Sequence, residues 1–117
     1  MKVIVCGGRH YADADQLFRI LDKLDADLGI VTLIHGDAHG ADRLAGSWGQ
    51  ARSKEVIAVP AEWNRYGKAA GHLRNQRMLD MEPDAVIAFP GGRGTADMMR
   101  RAIWAGVPVF DVASLRL

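Results

Sequence analysis

Short apolar runs alternate with longer stretches of helical periodicity along the whole chain. Val3 to Cys6 is a β-branched run that stops at Gly7-Gly8-Arg9. Leu17, Ile20, Leu21, Leu24 and Leu28 then recur at the spacing of one helical face. Ile30 to Ile34 is a second run, and Ala41, Leu44, Ala45 and Trp48 mark a second helix. Val56 to Val59 is a third run, stopped by Pro60. Leu73, Arg77, Met78 and Met81 predict a third helix from near Gly71. Ala85 to Phe89 is the fourth run, Met99, Ala102, Ile103 and Gly106 mark a fourth helix, and Val107 to Phe110 is the last run. Strands that are apolar at every position are buried on both faces, so their alternation with helices predicts a parallel sheet covered on each side. The expectation is one α/β domain over residues 1–117, with a doubly wound, mainly parallel sheet of about five strands.

The glycines add a place to this frame. Seven of the 13 follow predicted strands: Gly7 and Gly8, Gly36 and Gly40, and Gly91, Gly92 and Gly94. In a parallel sheet those carboxyl ends share one edge, where ligands of open α/β folds bind. The densest turn is Phe89-Pro90-Gly91-Gly92-Arg93-Gly94-Thr95-Ala96-Asp97. Glycine lets backbone N–H groups approach an anion closely, and the helix that follows aims its positive end at the same spot. Phosphate suits such a turn, cradled by Pro90, Gly91, Gly92, Arg93, Gly94 and Thr95. Arg9, Arg74 and Arg93 each flank a turn and are placed to pair with phosphate oxygens, with Asn75 beside Arg74. Asp37, Asp42 and Asp97 suit ribose hydroxyls as acceptors. Trp63 and Tyr66 offer flat faces to a base, although loop aromatics more often anchor on the core.

Bulk properties narrow the class. A chain of 117 residues, 49% hydrophobic and 25% charged, is ordinary for a globular domain. A net charge of +1 provides no general nucleic-acid surface. The one cysteine, Cys6, excludes an internal disulfide, suits a reducing compartment and reads as a core residue rather than a nucleophile. The first residues enter directly into a strand-like run, and no run approaches membrane-spanning length, so a cytoplasmic location is expected. His35 and His39 are four apart, but Gly36 and Gly40 put them on a loop, so no metal site is expected. Gly7-Gly8-Arg9 lacks the full dinucleotide fingerprint, and no cofactor is expected.

Six segments in order carry a resemblance. They are Val5-Cys6-Gly7-Gly8-Arg9, His35-Gly36-Asp37-Ala38-His39-Gly40-Ala41-Asp42, Pro60-Ala61-Glu62-Trp63, Tyr66 to Gly71, Arg74 to Leu79, and Pro90-Gly91-Gly92-Arg93-Gly94-Thr95. The last resembles the signature of the SLOG superfamily, which includes the LONELY GUY phosphoribohydrolases and the core of DNA-processing protein A. The other five, in order with it, resemble a small family of bacterial and phage proteins within it. The resemblance implies a Rossmann-like fold and a nucleotide or nucleotide-derived ligand at the glycine edge. In the phosphoribohydrolases the signature ends in a catalytic glutamate three residues beyond the threonine, assisted by an upstream arginine. Arg74 is similar in placement to that arginine, whereas the glutamate position is Met98 here. Asp97 lies one residue earlier, about 100° away around a helix.

Three readings of function stand at this point. The first is a binding module, a sensor or carrier of a nucleotide-derived small molecule. The second is a phosphoribohydrolase-like enzyme cleaving the N-glycosidic bond of a nucleoside monophosphate. In that case Asp97 would stabilise charge on the ribose carbon while Arg74 and the glycine turn hold phosphate. The third is a nucleic-acid-binding protein. Met98 speaks against the second and the near-neutral charge against the third. A homodimer is expected, because relatives in this superfamily commonly pair through helices beside the pocket. The third and fourth helices also carry Met78, Met81, Met98, Met99, Ile103 and Trp104, more than one buried stripe needs.

Overall fold

A computed structural model describes residues 1–115. β1 (Lys2–Cys6) leads through α1 (Ala14–Leu28) to β2 (Thr32–His35), and α2 (Ala41–Ala51) leads to β3 (Glu55–Ala58). A one-turn helix α3 (Trp63–Tyr66), a 3-10 turn (Gly67–Ala69) and α4 (Ala70–Leu79) then run to β4 (Ala85–Ala88). Helix α5 (Arg93–Trp104) and β5 (Val109–Asp111) follow, with a closing 3-10 turn at Val112–Ser114. The strand order is β3-β2-β1-β4-β5, and every neighbouring pair is parallel. The chain winds outward from β1 first one way and then the other, so the winding reverses between β1 and β4, and a crevice opens there at the carboxyl edge.

Alternation along the strands sorts the core into two layers. Val3, Val5, Leu33, Ala85 and Ile87 face α1 and α2, whose Leu17, Leu21 and Trp48 are fully buried against them. Ile4, Ile34, Val86 and Ala88 face α4 and α5, meeting Met78, Met98 and Ala102. Each fully buried leucine or methionine contributes about 1.5–3 kcal/mol. Local signals set the helix ends. Asp13 caps α1 by accepting from the Gln16 N–H at 3.0 Å. Gly29, at φ 71°, closes it in a left-handed turn and donates to the Asp25 carbonyl at 2.8 Å.

The fold is the doubly wound α/β arrangement expected, with local differences, one of them a last strand at Val109–Asp111 rather than Val107–Phe110. β2 begins at Thr32 rather than Ile30, because Ile30 N–H donates to the Asp25 side chain and Val31 N–H to the Met1 carbonyl as the chain leaves α1. Residues 63–69 are helical turns rather than open loop. Helix α5 begins at Arg93, inside the glycine segment, so Gly94 and Thr95 belong to its first turn. Of the apolar residues on α4 and α5, Met78 and Met98 are buried, while Ile103 is 69% and Trp104 94% exposed. Among the described residues no helix is long and apolar enough to cross a membrane.

Candidate functional site

Three loops close on one another at the carboxyl edge. Gly8 N–H donates to the Pro90 carbonyl at 2.8 Å, and Ala41 N–H donates to the Gly8 carbonyl at 3.1 Å. The loops after β1, β2 and β4 are thus tied together through one residue. Gly91 is required by this closeness. A Cβ there would lie 2.6 Å from the Gly8 nitrogen and 2.9 Å from the Gly7 carbonyl carbon. Backbone atoms cannot yield to it as a flexible side-chain tip would.

Beside the knot lies a cavity of about 360 Å³. One wall is the loop after β1, with Gly7, Gly8 and Arg9. A second is the start of α5, with Gly92, Arg93, Gly94 and Thr95. A third is α4, with Arg74 and Asn75, and Asp42 of α2 closes the back. The first N–H groups of any helix lack intrahelical acceptors, and at α5 no side chain caps them. A Cβ at Gly92 or Gly94 would meet no atom within 4 Å, so this wall is backbone and open space. The remaining glycines and neighbours proposed from sequence stand behind the lining. Gly36, Gly40, Pro90 and Gly91 shape the knot. Asp37, held at φ 56°, donates its N–H to His35 Nδ1 at 2.9 Å and pairs with Arg43 at 3.6 Å.

Arg74 is seated by its surroundings. Its Nη1 donates to the Gly36 carbonyl at 2.5 Å and its Nε to Asn75 Oδ1 at 3.1 Å. Asp42 Oδ2 accepts from the N–H groups of Gly36 at 3.1 Å and Ala38 at 3.3 Å. Burial pushes the Asp42 carboxyl up to about 6, against the pull of the Ala38 N–H, the Arg74 guanidinium and the Gly36 N–H. Gly36 leaves room for this seat, since a Cβ would lie 2.6 Å from Arg74 Cζ and 2.8 Å from Asp42 Oδ2.

Asp97 does not line the cavity. It is 5% exposed and ties α4 to α5. Its Oδ2 accepts from Asn75 Nδ2 at 3.0 Å and Arg101 Nε at 2.9 Å, and its Oδ1 from His72 Nδ1 at 2.9 Å. Burial alone would push this carboxyl up, but the hydrogen bonds from Asn75, His72 and Arg101 outweigh it and hold it below its usual range. Met98 is fully buried against the sheet. Cys6 lies in the same apolar layer, where burial pushes its thiol far up and keeps it an unreactive neutral group. His35 is buried, and burial pulls its imidazole down.

Trp63, half-exposed, lines the cavity, whereas Tyr66 does not and stacks beneath Arg65. Lys68 and His72 line it without having been singled out as binding residues. The signal for His72 was helical spacing, since Gly71, Arg74, Asn75 and Met78 line the cavity from the same helix, whereas Lys68 sits in the 3-10 turn before it.

Comparison with known proteins gives three matches. A model of the "YspA, cpYpsA-related SLOG family" matches residues 1–66. The Gene 61 protein of Mycobacterium phage D29 is 36% identical over 118 residues, covering 94% of each chain. The X-ray structure of DNA processing protein A from Streptococcus pneumoniae superposes with a TM-score of 0.52 at 17% identity. That match covers 99% of this chain but 62% of the other, and at such identity it speaks to the fold alone.

Proposed function

The chain belongs to the YspA, cpYpsA-related SLOG family, and on that premise we propose that it binds a nucleotide or nucleotide-derived small molecule. Phosphate lies at the amino end of α5, and the rest of the ligand lies along α4. One observation carries the reading. The uncapped start of α5 opens onto a cavity whose rim bears four cations, Arg9, Lys68, Arg74 and Arg93. Orphan N–H groups and a helix dipole favour an anion, and the arginines match phosphate oxygens. The volume is in the range of small-molecule sites. Trp63 gives a base a flat apolar face. Mass spectrometry of what the purified protein releases on denaturation tests this. A phosphate-bearing nucleotide in stoichiometric yield supports the reading, and a tightly held ligand without phosphate contradicts it.

The site is read as a sensor or carrier rather than a hydrolase. Among the described residues the one carboxylate lining the cavity is Asp42, which already accepts two backbone N–H groups. Asp97 is engaged behind the wall, and the position after it is the buried Met98. Glycosidic cleavage wants a carboxylate at the ribose carbon. Release of free base from a nucleoside monophosphate, lost in Arg74→Ala, would reverse this order.

The exposed end of α5 supports pairing with a second copy. A tryptophan left 94% exposed beside Ile103 is a costly surface for a lone molecule. Light scattering at tens of micromolar is expected to give a dimer mass, and Trp104→Ser a monomer. A monomeric native chain would contradict the pairing.

A further inference from the structure

His72 and Asp97 form a pair that phosphate binding at the start of α5 does not by itself require. Asp97 has a buried carboxylate whose two oxygens are used differently. Oδ2 takes Asn75 of α4, which pins α4 to α5, and Arg101 one turn on along its own helix. Oδ1 receives His72 Nδ1 at 2.9 Å, with Arg100 more distant at 3.7 Å. The His72 side chain is 51% exposed and lines the cavity. His72 also lies on α4, so its contact joins that tie, although a half-exposed imidazole contributes little to packing. Beyond this, the contact fixes the ring. The two ring nitrogens lie on opposite sides, so holding Nδ1 on a carboxylate turns Nε2 away from Asp97.

We infer that His72 is a proton-carrying contact of the ligand, oriented by Asp97, with Nε2–H donated to an anionic oxygen when the ring is protonated. This rests on the phosphate-binding reading above and deepens it. Ligand binding is then coupled to proton uptake, and affinity falls as pH rises through the imidazole titration. Other charged groups surround the ring. Lys68 and Arg74 share its own wall, and Arg93, Arg100 and Arg101 come from α5. Asp42 and Arg9 line the cavity on its other walls. Asp42, with its carboxyl near 6, shifts affinity in the same direction on ionising. The pH effect of His72 is therefore read as a difference between two proteins that both keep Asp42.

The probe is ADP-ribose, whose diesterified pyrophosphate keeps a constant charge over the range. Calorimetry from about pH 6 to about pH 8 compares the native protein with His72→Gln, whose fold is checked by circular dichroism. The native affinity is expected to fall about tenfold more than that of the variant, the scale of one charge-assisted hydrogen bond. Nitrogen-15 NMR of the imidazole gives a second readout. The neutral ring is expected as the Nδ1–H tautomer in the native protein and as a mixture in Asp97→Asn. Equal pH slopes in native protein and His72→Gln, or a native ring in the Nε2–H form, would overturn the inference while leaving the phosphate site standing. Failure of the native protein to bind ADP-ribose or any nucleoside monophosphate at either pH would overturn the phosphate reading itself, and this inference with it.

Discussion

Arg74→Ala is expected to lower affinity for a phosphate-bearing nucleotide by about 30-fold or more, the largest loss of any single side-chain truncation at the site. The guanidinium is partly buried, braced by the Gly36 carbonyl and Asn75, and faces Asp42. Truncating one partner of such a charge-assisted contact costs about 2 kcal/mol or more, because the other groups stay in place unpaired. Asp42 feels the loss as well. Burial has already pushed its carboxyl to about 6, and Arg74 is one of the groups pulling it back. Without that cation the carboxyl rises further and holds its proton to higher pH. Gly36→Ala should reach a similar end without removing any charge, because its Cβ would occupy the place of the Arg74 guanidinium. Calorimetry with a nucleoside monophosphate checks both. Native affinity in Arg74→Ala would remove the arginine from the site.

Gly92→Val separates the ligand's needs from those of the fold. Gly92 lies at φ −103°, outside the left-handed region, and a Cβ there meets no atom within 4 Å. The isopropyl group therefore enters space beside the first N–H groups of α5, where the phosphate is proposed to sit. Crowding of this kind costs about 2–3 kcal/mol, or roughly a hundredfold in affinity. Circular dichroism should stay near native. The contrast is Gly91→Val, whose side chain meets the backbone of Gly7 and Gly8 and should weaken folding itself. Undiminished binding in Gly92→Val would move the phosphate elsewhere.

The sheet was legible because a strand buried on both faces must be apolar at every position, and Val3 to Cys6 and Ala85 to Phe89 are. The start of α5 was not, because glycine propensity argues against helix at Gly94 while tertiary context places it in the first turn. The same ambiguity runs through the site. A glycine in sequence says that something approaches the backbone closely, without saying whether it is a ligand or another loop. Gly91 and Gly40 answer to the loop of Gly7 to Arg9, and Gly36 answers to Arg74, whereas Gly92 and Gly94 face open space. Asp97 read as a pocket carboxylate because it adjoins the glycine turn. A rotation of about 100° per residue instead turns it toward α4, where Asn75 and His72 hold it together with Arg101 of its own helix. Lys68 stayed hidden because residues 63–69 carry Gly67 and no apolar period, and so read as loop, and His72 because it lies off Leu73, Arg77, Met78 and Met81, the positions that marked the third helix.

Backbone amide resonances of the native protein, followed by NMR while a nucleoside monophosphate is added, test the phosphate site most directly. Arg93, Gly94 and Thr95 supply the uncapped N–H groups at the start of α5. Bound phosphate should move these resonances downfield, as hydrogen bonds to an anion do, and more than the amides of α1 on the far face of the sheet. Saturable binding that leaves Arg93, Gly94 and Thr95 unmoved would contradict a phosphate at this helix.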